Sequence, residues 1–291
     1  MTFLCPACQN TKNIPVQDYL GTAECFTGKQ IVSCTACQLK SVFPMPTAAE
    51  LDTYYSSYWG NHDVDALAPL FEKQAASRYE FLAPLIRKID PLKILDIGAG
   101  FGTIKKHFRA SAQYDAVEVD PIAVDILKNQ VRTRQIFTTV AEADSNYDLV
   151  ILSHILEHLS KPVQFLREIK TKMKPSGALF IEVPNKDFLY KERNQPHLLF
   201  FDVQTLESIV AKAGYNIIRV DSCGMNISYL APIYRQRFKL LRKIIKNILP
   251  TAAVKRISKK ANESSISTLS ACTSVYGDER QWLRLAAKVS K

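Results

Sequence analysis

Two pairs of thiols near the N-terminus offer the plainest chemistry in this 291-residue sequence. Cys5-Pro-Ala-Cys8 and Cys34-Thr-Ala-Cys37 form two C-x-x-C knuckles with 25 residues between them. Each knuckle aims two thiolates at one point, and two knuckles complete a tetrahedral Zn²⁺ site. The stretch "YLGTAECFTGKQIVSC" has a glycine-marked turn and an apolar run into the second knuckle, as a ribbon requires. So small a segment buries little apolar area, so the metal is expected to supply folding energy. Four protein ligands close the site, which makes the zinc structural. Five of the seven cysteines lie in the first 37 residues and the total is odd; the opening "MTFLCPACQN" lacks a basic, then apolar stretch, so no secretory leader is expected. A disulfide scaffold does not fit that pattern. Cys25 is a spare thiol without a place in it.

A second constellation is "KILDIGAGFGTIKKHF", residues 93–108. An apolar run reads as a buried strand, the glycines as a turn, and "TIKKHFRA" as the start of a helix. That is the opening of a doubly wound α/β domain, in which ligands sit beyond the carboxyl ends of the strands. A dinucleotide fingerprint needs its third glycine at position 103, where Thr103 stands; the glycines are Gly98, Gly100 and Gly102. Asp96 at the strand end is also out of place in a pyrophosphate cradle. A cationic, phosphate-free ligand suits it better. About 20 residues past the turn, Glu118 ends the next strand, where an acidic side chain accepts hydrogen bonds from ribose hydroxyls.

With these residues in view, "LDIGAGFG" resembles the first motif of the class I S-adenosylmethionine (SAM)-dependent methyltransferases. "YDAVEVDP" resembles the second strand, and "SNYDLVILSHILEHLSKPVQFLREIKTKMKPSGALFIEVPN" the fourth strand, helix and fifth strand. "HLLFFDVQTLESIVAKAGYNIIRVDSCG" is similar to the next helix and sixth strand, and "QWLRLAAK" to the closing seventh. The resemblance implies an α/β, Rossmann-like, seven-stranded doubly wound sheet. It also implies that Asp96, Gly98, Ala99, Gly100, Gly102, Glu118, Val119, Glu142 and Ser153 face the methyl donor. Asp96 would hold the amino group, and the segment around Ala141 and Glu142 the adenine. Candidates for the chemistry lie beyond the fourth strand, in His154, Glu157 and His158. On a helix the two histidines share a face, and the trio could act as a general base or bind a metal. Some quinone-biosynthesis methyltransferases resemble this segment with Glu, Glu and His; here His154 replaces the first Glu. His158 packing the helix without chemistry stays open. His197 in "PHLLFF" is a second base candidate.

These residues need elements to position them. The expected division is a zinc ribbon at 1–46, a linker with N-terminal helices at 47–90, the SAM-binding core at 91–223, a basic helical insertion or lid at 224–279 between strands six and seven, and a final strand at 280–291. Thr47 with Glu50 makes a capping box for the first helix, the tyrosines and Trp59 after it read as packing between modules, and a second helix spans roughly Leu70 to Ile89. The net charge of +10 has a local source: residues 232–262 hold ten of the 38 Lys and Arg and no acidic residue, so 28 basic residues face 28 acidic ones elsewhere. Within it, "YRQRFKLLRKIIKNIL" (234–249) is basic and amphipathic. A lid over the acceptor site, peripheral contact with an anionic membrane, and RNA binding all remain open, the last disfavoured by few aromatics. No apolar run approaches the roughly 20 residues a membrane span needs, and a cytoplasmic protein, or one peripheral to the inner membrane face, is the expectation. A ribbon joined to this methyltransferase type resembles bacterial enzymes acting on sugars and polysaccharide precursors. The expected acceptor is a saccharide hydroxyl or related small molecule, and the alternatives are RNA or a quinone- or lipid-type hydroxyl.

Overall fold

The computed structural model describes residues 2–55, 64–230 and 273–290. Trp59, Cys272 and the 234–249 segment lie outside the described residues, and the expected insertion at 224–279 is described only at its two ends. The N-terminal strands β1 (Asn13–Asp18), β2 (Gln30–Cys34) and β3 (Lys40–Phe43) form an antiparallel ribbon. Thr47 and Glu50 form the expected capping box: Glu50 N donates to Thr47 Oγ1, and Glu50 Oε2 accepts from Thr47 N at 2.7 Å. It opens α1 (Ala48–Tyr55). The second helix, α2, runs Val64–Ile86 and so begins before and ends short of the expected range. Pro91 biases Asp90 away from helical backbone, which favours an earlier stop.

The core follows as β4 (Lys93–Ile97), β5 (Gln113–Val117), α3 (Pro121–Asn129), β6 (Gln135–Phe137), β7 (Tyr147–Ser153), α4 (Pro162–Lys172), β8 (Met173–Pro184), β9 (Leu199–Phe200), α5 (Val203–Lys212), β10 (Tyr215–Asn226) and β11 (Arg280–Val289). Seven strands form one sheet in the order β10-β11-β8-β7-β4-β5-β6. The five from β8 to β6 are parallel, and β11 runs antiparallel between β8 and β10. The order reverses between β4 and β7, and the crevice past their carboxyl ends is where such sheets bind ligands. This is the doubly wound sheet that the glycine turn opens, with the seven strands that the resemblance implies.

Both faces of the sheet are covered, which is why β4 and β7 read as apolar runs rather than alternating ones. Alternate residues still divide cleanly. Leu95, Ile97, Val150, Leu152, Leu179 and Ile181 pack with Leu166 and Ile169 of α4 and Leu206, Ile209 and Val210 of α5. Ile94, Leu149, Ile151 and Phe180 pack with Ala75, Phe81, Leu82 and Ile86 of α2. After the glycine turn, the expected helix is only a 3-10 stretch, Thr103–His107. Gly102 caps it at φ +60° without a side-chain bond, and Phe108 turns extended into the core.

One charge sits inside this apolar frame. The Glu182 carboxylate on β8 is fully buried and receives Arg284 Nε of β11 at 2.6 Å and Arg78 of α2 at 2.9 Å (Nε) and 2.6 Å (Nη2). Burial alone would raise its pKa, but the two guanidiniums and His154 hold it well below the usual carboxylate range. Removing one partner of a buried pair strands the others, at a cost of about 3–5 kcal/mol. Glu182→Ala is therefore expected to lose about that much stability in urea unfolding followed by circular dichroism.

Candidate functional site

The turn after β4 brings backbone into the crevice. Gly98 has φ +66°, a backbone conformation that favours glycine, and a Cβ there would push aside the Ile155 side chain. Gly98 N donates to Val117 O at 2.8 Å, which ties the turn to β5. Glu118, just past β5, accepts from Gly100 N at 2.8 Å, Val119 N at 2.8 Å and Asp120 N at 3.0 Å. Asp96 is buried and takes the Tyr114 hydroxyl at 2.5 Å. Desolvation pushes its pKa up to about 7 against the opposing effects of that bond and of Arg78.

These groups line a cavity of about 640 Å³ together with Ala99, Val119, Ser153, His154, His158 and His197. Two residues expected there are elsewhere. Glu142 is exposed and pinned to the Thr138–Thr139 turn, accepting from Thr138 N at 3.0 Å and Oγ1 at 2.8 Å. Gly102 lines a neighbouring groove with Lys105 and Lys106.

On the far side of the cavity, His154 and His158 do not share a helical face. His154 has φ +58°, and only Leu156–His158 forms a single 3-10 turn. The buried Glu157 lies between them. His154 Nδ1 is 3.2 Å from Glu157 Oε1 and its Nε2 is 3.2 Å from Glu182 Oε1. Desolvation opposes charge on His154, yet the two carboxylates outweigh it and raise its pKa. His158 goes the other way. Its Nδ1 is 2.8 Å from the Tyr55 hydroxyl, and burial, reinforced by His197, Lys191 and His154 against Glu157, lowers its pKa to about 3.

The loop after β8 supplies a third histidine and a partner for it. His197 Nδ1 is 2.6 Å from the buried carboxylate of Asp187, so this nitrogen donates its proton to Asp187. Lys191 Nζ is 3.2 Å from the same carboxylate and 3.3 Å from His197 Nε2. Burial would raise the Asp187 pKa, but the charges of His197 and Lys191 bring it down to about 2. The His158 and His197 rings meet edge to face at 4.9 Å.

Asp187, Tyr55 and Arg78 are the participants that sequence reasoning missed. Asp187 follows "EVPN" at the carboxyl end of β8, where a ligand-facing residue is expected, and that position was the available signal. Tyr55 stood among tyrosines read as packing; Tyr54 does pack, 5.3 Å edge to face on Phe26, while Tyr55 turns to His158. Nothing local marks Arg78, whose partner lies 104 residues away.

Among the described residues, two groups of side chains could hold a metal. The Sγ atoms of Cys5, Cys8, Cys34 and Cys37 lie within 4.8 Å of one another, with Cys5–Cys37 and Cys8–Cys34 at 3.5 Å. A tetrahedral ion with bonds of about 2.3 Å sets sulfurs about 3.8 Å apart, so the set fits. Glu157, His158 and His197 also converge within 4.8 Å. There Nδ1 of each histidine is engaged, by Tyr55 and by Asp187, which leaves the Nε2 atoms as the candidate ligands.

Residues 67–220, a little over half of the chain, match the family model described as "Methyltransferase domain". The chain belongs to that family, and its fold is the class I methyltransferase fold. The Schizosaccharomyces pombe protein named mitochondrial ubiquinone biosynthesis O-methyltransferase is 27% identical over 141 residues, 44% of this chain and 52% of the relative. The Rickettsia conorii ubiquinone biosynthesis O-methyltransferase is 29% identical over 152 residues, 46% of this chain and 52% of the relative. The chain thus spans about half the length of the curated relatives it matches. Among solved structures, the Burkholderia thailandensis 1,6-didemethyltoxoflavin-N1-methyltransferase with S-adenosylhomocysteine (SAH) superposes with a TM-score of 0.51, covering 94% of this chain and 100% of that one at 16% identity. That likeness is one of fold.

The depressed pKa of His158 makes stability depend on pH. The unfolded chain takes up a proton near pH 6.5 that folded His158 refuses until about pH 3, so this stability is full above 6.5 and is lost as pH falls toward 3. The loss approaches about 1.4 kcal/mol per pH unit within that window. Urea unfolding from pH 7 to 4.5 is expected to show a steeper fall for the wild type than for His158→Gln.

Proposed function

We propose that this protein is a SAM-dependent O-methyltransferase acting on a hydroxyl of a small molecule, with His197 as general base. The observation that carries the reading is the cavity itself: a glycine turn and Glu118 on one wall, and the Asp187–His197 pair on the other. When bound, SAM supplies an electrophilic methyl on a sulfonium. Gly98 and Gly100 let backbone approach its methionine part, Glu118 accepts from the ribose hydroxyls, and the exposed Val119 side chain offers an apolar face to the adenine. Asp96 faces the amino group.

The proton must leave the acceptor hydroxyl as its oxygen attacks the methyl carbon and the carbon–sulfur bond breaks toward sulfur. Three histidines line the cavity, and their surroundings separate them. His154 is held between two carboxylates and favours the protonated form. His158 is neutral but too weak a base. His197 keeps Nε2 as its lone-pair nitrogen while Asp187 fixes the tautomer and stabilises the charge that develops. An acceptor hydroxyl takes the place of Lys191 at Nε2. The four cysteines hold a structural zinc, supported by their convergence.

A saccharide hydroxyl is the acceptor we favour, on the joining of a four-cysteine ribbon to this fold. The phenolic hydroxyl of a quinone precursor is the second reading, favoured by the names of the curated relatives. The basic 234–249 segment would then serve as a peripheral membrane contact. Methyl transfer from radiolabelled SAM into nucleotide sugars, lipid-linked saccharides, quinone precursors and RNA separates the acceptors. Label in RNA alone would overturn the small-molecule reading. With the labelled acceptor, His197→Gln is expected to lower kcat by roughly 10²–10⁴-fold while SAH affinity stays within about twofold; an unchanged kcat removes His197 as base.

Asp96 gives donor binding a pH signature. Its carboxyl is half protonated near pH 7 in the free protein, and a cationic amino group favours the ionised form. SAH affinity by calorimetry is expected to rise about tenfold per pH unit below 7 and to level off above it. Asp96→Asn should flatten that rise.

A further inference from the structure

The loop that carries Asp187 and His197 rests on the cysteine ribbon. Asn194 N donates to Leu20 O at 2.8 Å, and its Oδ1 accepts from Leu20 N at 2.7 Å. Gln195 Oε1 accepts from Thr22 N at 2.5 Å and Ala23 N at 3.1 Å. Gln17 Nε2 donates to Phe188 O at 3.1 Å. The buried Tyr19 hydroxyl donates to the carbonyl of His197 itself at 2.9 Å. Directly after His197 the chain enters β9, which pairs antiparallel with β3 as the fourth strand of the ribbon, Lys40 opposite Phe200 and Ser41 opposite Leu199. The other wall of the cavity is held from within the large sheet: Gly98 N by Val117 O, Glu118 N by Phe137 O, Asp96 by Tyr114.

We propose that the ribbon is a positioning device for the acceptor base. Zinc on Cys5, Cys8, Cys34 and Cys37 fixes β3 and the Tyr19–Ala23 turn; these fix the 186–201 loop and so keep His197 against Asp187 in the cavity. Donor affinity is set elsewhere, by the turn after β4. The inference rests on the reading of His197 as base. A ribbon tethered as a separate binding module would not share a strand with the core. A ribbon that merely stabilised the whole fold would affect both walls alike. Tyr19 is a positioning residue in this scheme: it touches no reacting atom and acts through the His197 backbone.

The test uses the full chain in zinc-loaded wild-type form and as Cys34→Ser and Tyr19→Phe, with metal content, SAH calorimetry, hydrogen exchange and proton NMR as readouts. The His197 Nδ1–H bonded to Asp187 should give a downfield resonance, assigned by its absence in His197→Gln. One zinc per chain is expected in the wild type and in Tyr19→Phe, and none in Cys34→Ser. Cys34→Ser is expected to lose the resonance and about tenfold or more of the exchange protection over 186–201, while β4–β5 and SAH affinity stay within about threefold of the wild type. Tyr19→Phe, with its ribbon intact, is expected to weaken the resonance and lower protection in the same loop. Unchanged protection and resonance in Tyr19→Phe overturn the proposal, and that variant decides the matter if Cys34→Ser does not fold. Loss of SAH binding and of β4–β5 protection in a folded Cys34→Ser also overturns it. Failure of the base reading would show separately, as unchanged turnover in His197→Gln with the exchange results intact.

Discussion

The carboxylate of Glu182 is the constraint on which the rest of the structure depends. It is fully buried and cannot be left unpaired, so every element that reaches it is fixed by it. Arg284 brings β11 to β8, Arg78 anchors α2 across the sheet, and His154 sets the start of the loop after β7. Arg284 in turn holds Ser77 of α2 and the Tyr276 hydroxyl. One charge thus joins the packing of the antiparallel edge to the wall of the cavity. His154 is partly a structural residue for that reason, and lining the cavity does not make it a base.

The two walls of the cavity are built differently. One wall is one strand end, one turn and the end of the neighbouring strand, close in sequence and tied by backbone bonds. The other wall takes Tyr55 from α1, His158 from the β7 loop and His197 from the β8 loop, backed by the buried Glu157 and Asp187, with the ribbon beneath. A composite wall of this kind varies through loops and an appended module while the sheet stays as it is.

That difference also sets what the sequence made legible. The glycine turn, the place of Glu118 just past β5 and the convergence of the two knuckles were readable because spacing over a few residues sets them. The central strands β4 and β7 were readable because a sheet covered on both faces leaves continuous apolar runs; the full count of seven came from the resemblance, and the short β6 carries no run that marks it. The helical face assigned to His154 and His158 failed because His154 takes a left-handed backbone and the turn ends after three residues. Glu142 lies outside the cavity, where a threonine turn uses its carboxylate. Asp187 with His197, Tyr55 with His158, and β3 with β9 join distant segments, and no local periodicity encodes such pairings.

Strand β9 also has a bearing on how the chain is made. The ribbon has its first three strands within the first 43 residues, but its fourth arrives more than 150 residues later. At about 5–20 residues per second, β3 leaves the ribosome roughly 8–30 s before its partner. For that interval the ribbon carries an open edge of unpaired N–H and C=O groups, the kind of edge that pairs with other chains. The edge that later supports the acceptor loop is therefore, during synthesis, a point of risk for aggregation, and it is closed only when most of the catalytic domain has emerged.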